Sequence, residues 1–366
     1  KATFANMAKI DTPDPGTVVI SRKEPNPLLL FNLGENTAVI LDPSTAADDG
    51  NHPVGTGPFK FENWIKGSSV TLVKAATYRD PGSIKLDKIT FKFISDPAAQ
   101  VAALLAGDVD AFPTFASAEN VKQFQSDPRF NVTVGTTEGE TILAMNNKKK
   151  PFDDIRVRRA ICYAIDRKAI IDGAMYGFGT PIGSHFAPHQ PAYVDLTGVY
   201  PHDPAKAKEL LKEAGYPNGL EVTLKLPPPA YARRGGEIIA AQLAEVGIKA
   251  KIENLEWAGW LANVFKGKDF DLTIVSHVEP LDISIYANPD YYFQYDSKDF
   301  RDIMDKANSA LDEKERTKYY QQAQRKLADD AVNGFLFELA KISVAKKGLV
   351  GLWKNKSRSS AAVKKI

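Results

Sequence analysis

Residues 220–275 decide the fold class. They begin Leu220-Glu221-Val222-Thr223-Leu224-Lys225-Leu226, where Val222, Leu224 and Leu226 alternate with polar residues as in a strand with one face buried. Ile238, Ile239, Ala241, Leu243 and Val246 then fall at helical spacing over 236–246, and Gly247 ends that helix. Ile248–Ile252 reads as a second strand, 258–265 as a second helix, and Phe270-Asp271-Leu272-Thr273-Ile274-Val275 as a nearly continuous apolar strand. Strand, helix, strand, helix, strand in so short a span requires parallel pairing, because only parallel neighbours need crossovers of this length. The class is α/β.

The same procedure extends outward in both directions. Upstream, the first fifty residues are loop-rich, with a short strand at 18–21 and a break at Glu24-Pro25-Asn26-Pro27. Two glycines and two prolines in Pro53-Val54-Gly55-Thr56-Gly57-Pro58 turn the chain into a strand carrying Phe59 and Phe61 on one face. Strands follow at 70–75, 88–94, 109–112 and 141–146, with helices at 97–106 and 117–125. Asp153 or Asp154 caps a helix through Ala164, and Asp203-Pro204 opens another. Downstream, 300–310 and 312–331 are helical and 335–344 reads as one strand.

The composition excludes several classes. A chain of 366 residues with 43% hydrophobic and 25% charged residues is globular and long enough for two or three domains. Forty-seven Lys plus Arg against forty-five Asp plus Glu leave a net charge of +2, which gives no electrostatic reason to expect nucleic acid as a partner. Apolar runs such as 27–32 and 160–165 fall short of the roughly 20 residues of a membrane span. The single cysteine, Cys162, lies among apolar neighbours and is expected to be buried and inert. Lys1 is not a Met and no leader precedes it, so either a signal peptide has been removed or the sequence begins inside a longer chain.

No catalytic constellation stands out. The five histidines are scattered, and Pro188 between His185 and His189 argues against a shared helical face, so loop histidines are the reading and no metal site is expected. Neither Gly67-Ser68-Ser69 nor Gly183-Ser184 forms a Gly-x-Ser-x-Gly elbow, and Gly55-Thr56-Gly57 leads into a strand without a following Lys-Ser/Thr. Cofactors are not expected.

Several motifs resemble one family. Residues 53–61, Leu104-Leu105-Ala106-Gly107-Asp108-Val109-Asp110, and Pro151-Phe152-Asp153-Asp154-Ile155-Arg156-Val157-Arg158-Arg159-Ala160 with Ala164-Ile165-Asp166-Arg167 are similar to the family-5 extracellular solute-binding proteins. That family includes the dipeptide- and oligopeptide-binding components of ABC importers. Further matches at Pro204-Ala205-Lys206-Ala207, Glu213-Ala214-Gly215-Tyr216, Gln242-Leu243, Val246-Gly247-Ile248 and Glu256-Trp257 keep the family's order, from about Glu24 to Trp353.

The resemblance implies a two-lobed, periplasmic-binding-protein-like (class II) fold. Its mixed and parallel sheets are flanked by helices, and a ligand cleft lies between the lobes. Residues 1–136 are expected in lobe I, 137–276 in lobe II, and 277–366 returning to lobe I. Members usually carry a substantial block ahead of the segment like 18–30, so lobe I is expected to be truncated here, and the tail after Lys356 departs from the family's ending. The implied function is capture of a peptide-like solute for delivery to an ABC transporter membrane permease. The protein would be an exported, periplasmic monomer without enzymatic activity, and ligand would shift an open–closed equilibrium. The alternatives are a receptor for a nickel chelate, an oligosaccharide or an opine-like compound, or a hydrolase whose nucleophile lies in a missing segment.

A solute cleft needs a few oriented polar groups among aromatic walls. The loop after 270–275 sits at the carboxyl end of a parallel strand, where ligands bind in open α/β sheets. It offers His277, Glu279, Asp282 and Tyr286, and the resemblance implies an acidic residue here for a peptide's ammonium group, Glu279 or Asp282. Between the strand ending at Leu226 and the helix at 236 lie Tyr231, Arg233 and Arg234; by the same resemblance Arg233 would meet the ligand's carboxylate. Trp260 and Tyr291 are the aromatic candidates on this side, with Tyr292 pointing oppositely to Tyr291 if extended, and Phe115 on the other lobe. Asn146 is placed at the expected lobe crossing.

Overall fold

A computed structural model describes residues 6–34 and 38–355; the tail from Ser357 to Ile366 lies outside them. Its strands, in chain order, are β1 (Met7–Asp14), β2 (Thr17–Arg22), β3 (Phe59–Ile65), β4 (Ser69–Lys74), β5 (Lys88–Lys92), β6 (Ala111–Phe112) and β7 (Phe130–Gly135). Then follow β8 (Glu140–Met145), β9 (Gly179–Pro181), β10 (Leu220–Leu226), β11 (Ile248–Asn254), β12 (Leu272–His277), β13 (Asn333–Leu339) and β14 (Lys341–Lys346). The chain divides into two compact units, one of Lys1–Glu35 with Glu138–Leu339 and one of Asn36–Thr137 with Ala340–Ile366. Residues 277–339, expected to return to the first lobe, therefore stay with the sheet of the larger unit, because β13 pairs with β8.

The larger unit is built on one six-stranded sheet, ordered β11-β10-β12-β8-β13-β9. β10 pairs in parallel with both β11 and β12, as the spacing over 220–275 requires. β8 then runs antiparallel to β12 and to β13, and β13 antiparallel to β9, so the sheet is mixed. Burial of both faces explains the unbroken apolar strands. Leu143, Met145, Leu224, Leu272 and Ile274 face a core shared with the helices Ile155–Ala164, Pro204–Glu213 and Ala230–Glu245. Ile142, Ala144 and Val275 face an aromatic core with Trp260, Tyr286, Tyr292, Phe293 and the helices Lys298–Ser309 and Glu313–Asp329.

Local signals account for most element ends. Asp154 and Asp203 cap their helices by accepting the backbone N–H groups of Arg156 and Lys206. The long helix starts at Ala230, six residues before the sequence pattern suggested. Pro229 needs no N–H at the cap, and its carbonyl accepts from Ala232 and Arg233. Tyr231 and Arg233 thus stand on a first helical turn rather than in a loop. Met7–Asp14, read as loop, pairs as a hairpin with β2. The apolar run 335–344 is two strands: β13 closes the large sheet, and β14 joins β6 and β7 in the smaller unit.

The smaller unit holds the meander β3-β4-β5 and the sheet β6-β14-β7. Phe115 is 4% exposed there, its ring 5.4 Å edge-on from Phe124, which in turn meets Phe130 at 5.0 Å. It is a core residue of that unit, so its assignment as a ligand-facing aromatic has no support in its surroundings.

Gly219 and Gly247 begin the parallel pair β10–β11. Both have positive φ, +82° and +89°, and the N–H of Leu220 donates to the Gly247 carbonyl at 3.1 Å. A Cβ on Gly219 would lie 2.0 Å from that carbonyl oxygen. Gly219→Ala therefore combines left-handed strain with a backbone clash and is expected to cost more than about 2 kcal/mol in urea unfolding. Gly259→Ala meets nothing within 4 Å and should change stability by less than about 1 kcal/mol. Equal midpoints for the two variants would refute this account of the turn.

Candidate functional site

Register places three ionisable side chains in one row. His277 at the end of β12 and Glu338 on β13 both pair with Glu140 at the start of β8. Side chains opposite one another in adjacent strands share a face, so His277, Glu140 and Glu338 stand side by side on the aromatic side of the sheet. All three are buried.

Segments remote in sequence complete the row. His185, 1% exposed in the loop after β9, places Nε2 2.8 Å from Oδ1 of Asp282, and Nδ1 of His277 lies 3.5 Å from Oδ2 of the same carboxylate. Each imidazole has its other nitrogen against a tyrosine hydroxyl: His185 Nδ1 is 3.2 Å from Tyr286 and His277 Nε2 is 3.1 Å from Tyr292. Asn333 donates Nδ2–H to the Tyr286 hydroxyl at 3.1 Å, and its Oδ1 accepts the Met145 N–H. On the other side of the row His189 bridges Glu338 (3.1 Å) and Glu138 (2.9 Å), and Gln190 donates to Glu138.

Electrostatics separate the two central acids. Burial alone would raise the Asp282 carboxyl, but the charge and hydrogen bond of His185, followed by those of His277, outweigh it and hold Asp282 well below the usual carboxylate range. Burial works against the charged form of His185 and lowers it. Glu140 has no such cation. Burial first, then the charges of Asp282, Glu138 and Glu338, push it far above an ordinary glutamate, and its Oε2 is buried without a hydrogen-bond partner.

The structure gathers His277, Glu279, Asp282, Tyr286, Tyr291, Trp260 and Tyr231 around this end of β12. Tyr291 and Tyr292 lie on a turn with ring centroids 5.2 Å apart, and both approach His277, at 6.2 and 6.0 Å; they do not project oppositely, because the segment is not extended. Trp260 is 4% exposed, donates Nε1–H to Thr273 and packs on Tyr292, while Trp257 beside it is 41% exposed. The Tyr231 hydroxyl accepts the Ser276 N–H at 3.3 Å. Arg233 pairs with Glu256 at 3.0 Å on the surface.

Asn146 stands apart. It follows the far end of β8, about 20 Å from Glu140 along the strand, where its side chain donates to the carbonyls of Lys268 and Phe270. The boundary of the larger unit lies instead at Glu138 and Leu339. Glu138, Glu140 and Glu338 escaped the sequence reading, and His185 and His189 figure in it only as loop histidines. The alternation of Glu138 and Glu140 just ahead of an apolar strand was the one available signal, whereas the histidines come from a loop without periodicity.

Raising the Glu140 pKa makes it a source of pH dependence. The folded chain retains its proton more firmly than the unfolded chain, so its contribution is intact below about pH 4.3 and is lost as pH rises toward the folded value. Glu140→Gln should match wild type at pH 4.5 and be more stable at pH 8, by about 1.4 kcal/mol for each unit of displacement crossed. Melting temperatures of both proteins at the two pH values test this; a difference independent of pH contradicts it.

Residues 1–302 match the family described as bacterial extracellular solute-binding proteins, family 5 Middle. The glutathione-binding protein GsiB of Salmonella typhi is 35% identical over 271 residues, 72% of this chain and 52% of that protein. The chain spans about half the length of the curated relatives it matches. Among solved structures, DppA of Helicobacter pylori in complex with peptide STSA superposes with a TM-score of 0.84 at 27% identity, covering 98% of this chain and 73% of the other. AgaA of A. tumefaciens R10 in complex with agropinic acid superposes at 0.80 with 29% identity, covering 96% and 75%. The mixed α/β architecture is that of the class II periplasmic binding proteins. With the family match covering well over half its length, the chain belongs to the family-5 bacterial extracellular solute-binding proteins.

Proposed function

We propose that the chain is the solute-capturing component of a bacterial ABC importer, working outside the inner membrane. It would take a small peptide-like solute, hand it to a membrane permease and turn over no substrate. Three observations support this reading: the family, the similarity to a glutathione-binding protein and to proteins in complex with a peptide and with agropinic acid, and the collection of carboxylates and aromatic rings at the carboxyl end of β12. No helix among the described residues is long and apolar enough to cross a membrane.

The observation that carries the choice of solute is the unequal commitment of the charged groups. Asp282 is held by two histidines inside the protein, and redirecting it to a ligand would leave buried imidazoles without their partner. Glu279, half-buried in the loop after β12, accepts the Val278 N–H at 3.2 Å and its charge acts on the nearby Tyr291 hydroxyl; with Asp282 committed, it is the other carboxylate this loop offers to an ammonium group. Arg233 pairs with Glu256 at 3.0 Å and reaches the Leu255 carbonyl at 3.5 Å, and the side chains of the ion pair are 39% and 81% exposed; such pairs contribute roughly 0–1 kcal/mol, so a ligand carboxylate can compete with Glu256 at little cost. Glu279 therefore receives the ammonium and Arg233 the carboxylate, with Tyr291 and Tyr231 supplying apolar area. Asp282, His277 and Tyr286 fix the loop that carries Glu279.

Calorimetry with glutathione and a panel of di- and tripeptides tests the assignment. Glu279→Gln and Arg233→Ala should each weaken the best ligand by about 2–5 kcal/mol, because its charge would stay buried and unpaired, while leaving the ligand-free melting temperature within a degree or two. Both variants binding within threefold of wild type, or no peptide binding at all, would sink this reading.

A further inference from the structure

We propose that His185, His277 and Asp282 form a binding site for a divalent first-row transition ion, ligated through Nε2 of His185, Nδ1 of His277 and the carboxylate of Asp282. Among the described residues these three offer ligand atoms that all lie within 4.8 Å of one another. The pairs at 2.8 and 3.5 Å bracket the spacing of about 3.3 Å that two ligands take around a tetrahedral ion bound at about 2.0–2.1 Å. A small outward shift of one imidazole admits the ion.

The surroundings have the form of a second shell. A ligating imidazole needs its other nitrogen fixed by a hydrogen bond, which sets tautomer and ring angle. Here the distal nitrogen of each histidine already meets a buried tyrosine hydroxyl, Tyr286 for His185 and Tyr292 for His277, and Asn333 anchors Tyr286 in turn. Hydroxyls accept as readily as they donate, so they serve the tautomer a metal requires.

A separate observation points to a cation. Glu140, 2% exposed and directly across the strand pair from His277, keeps a buried Oε2 without a hydrogen-bond partner. A water on the open position of an ion at the His–His–Asp centre would give Oε2 a partner. Two imidazoles and one carboxylate suit Zn²⁺, Co²⁺ or Ni²⁺ rather than Ca²⁺ or Mg²⁺, which prefer all-oxygen sets. The ion would tie together the loop after β9, the end of β12 and the turn at 282–287. It needs no solute, so the site stands or falls independently of peptide binding.

The test uses the full chain after chelator treatment and dialysis, titrated with Co²⁺ at pH 7.5. The expected result is visible d–d absorption saturating at one equivalent, bleached by Zn²⁺, with Zn²⁺ raising the melting temperature. His277→Gln and Asp282→Asn should each weaken Zn²⁺ at least tenfold, whereas His52→Gln, in the smaller unit, and His202→Gln, beside Asp166, should leave it unchanged. Should the buried variants fail to fold, histidine-labelled wild type decides: Zn²⁺ should shift the ring signals of two of the five histidines. No saturable absorption, shifts in fewer than two histidines, or affinity that survives His277→Gln or falls with His52→Gln or His202→Gln overturns the proposal.

Discussion

The larger unit depends on one strand with no solvent on either face. β8 is paired on both edges, and all six of its residues are buried. Odd positions press into a helical layer and even positions into an aromatic one. A strand so enclosed cannot slip by one residue, since that would exchange every side chain between two cores of different shape. Register is therefore fixed along its whole length, including its first residue, and that residue is a glutamate.

The placement of Glu140 has consequences for its neighbours. Because β12 and β13 are locked to β8, His277 and Glu338 are brought beside it whatever their own preferences. A carboxyl group in that position needs a proton, a cation or repositioning. The structure answers with opposite arrangements on the two sides: a carboxylate between two histidines at Asp282, and a histidine between two carboxylates at His189. The site chemistry follows from sheet register, and the loops supply what the strands leave unsatisfied.

The legibility of the sequence divides along the same line. The parallel unit over 220–275 could be read because apolar periodicity, Gly219 and Gly247 report purely local demands. Asp282 and His277 could be singled out because strand ends are where α/β sheets bind ligands. The antiparallel insertion of β8 and β13 between that unit and β9 could not be read, since pairing partners nearly two hundred residues apart leave no local trace. Without that insertion Glu140 and Glu338 are two unremarked acids, and Asn146 is assigned to the wrong end of its strand. His185 shows the limit most clearly: its burial is created by Tyr286, Asp282 and His277, none of them within ninety residues of it in sequence.

The charged groups of this region differ in what they can give to a ligand, and exposure decides the difference. Arg233 and Glu256 face solvent, so water competes for both and their mutual attraction is small. His185, His277 and Asp282 have no water to fall back on, and each is held by the penalty its partners would suffer on separation. A binding surface built on such a base can exchange its outer ion pairs for ligand charges without disturbing the inner ones. In the proposed assignment rigid buried groups set geometry while Glu279 and Arg233 do the recognising, and one loop, from Ser276 to Tyr286, carries His277 and Asp282 of the first kind and Glu279 of the second within eleven residues. On that proposal, selectivity for different solutes changes through Glu279 and Arg233 while the core that positions them stays as it is.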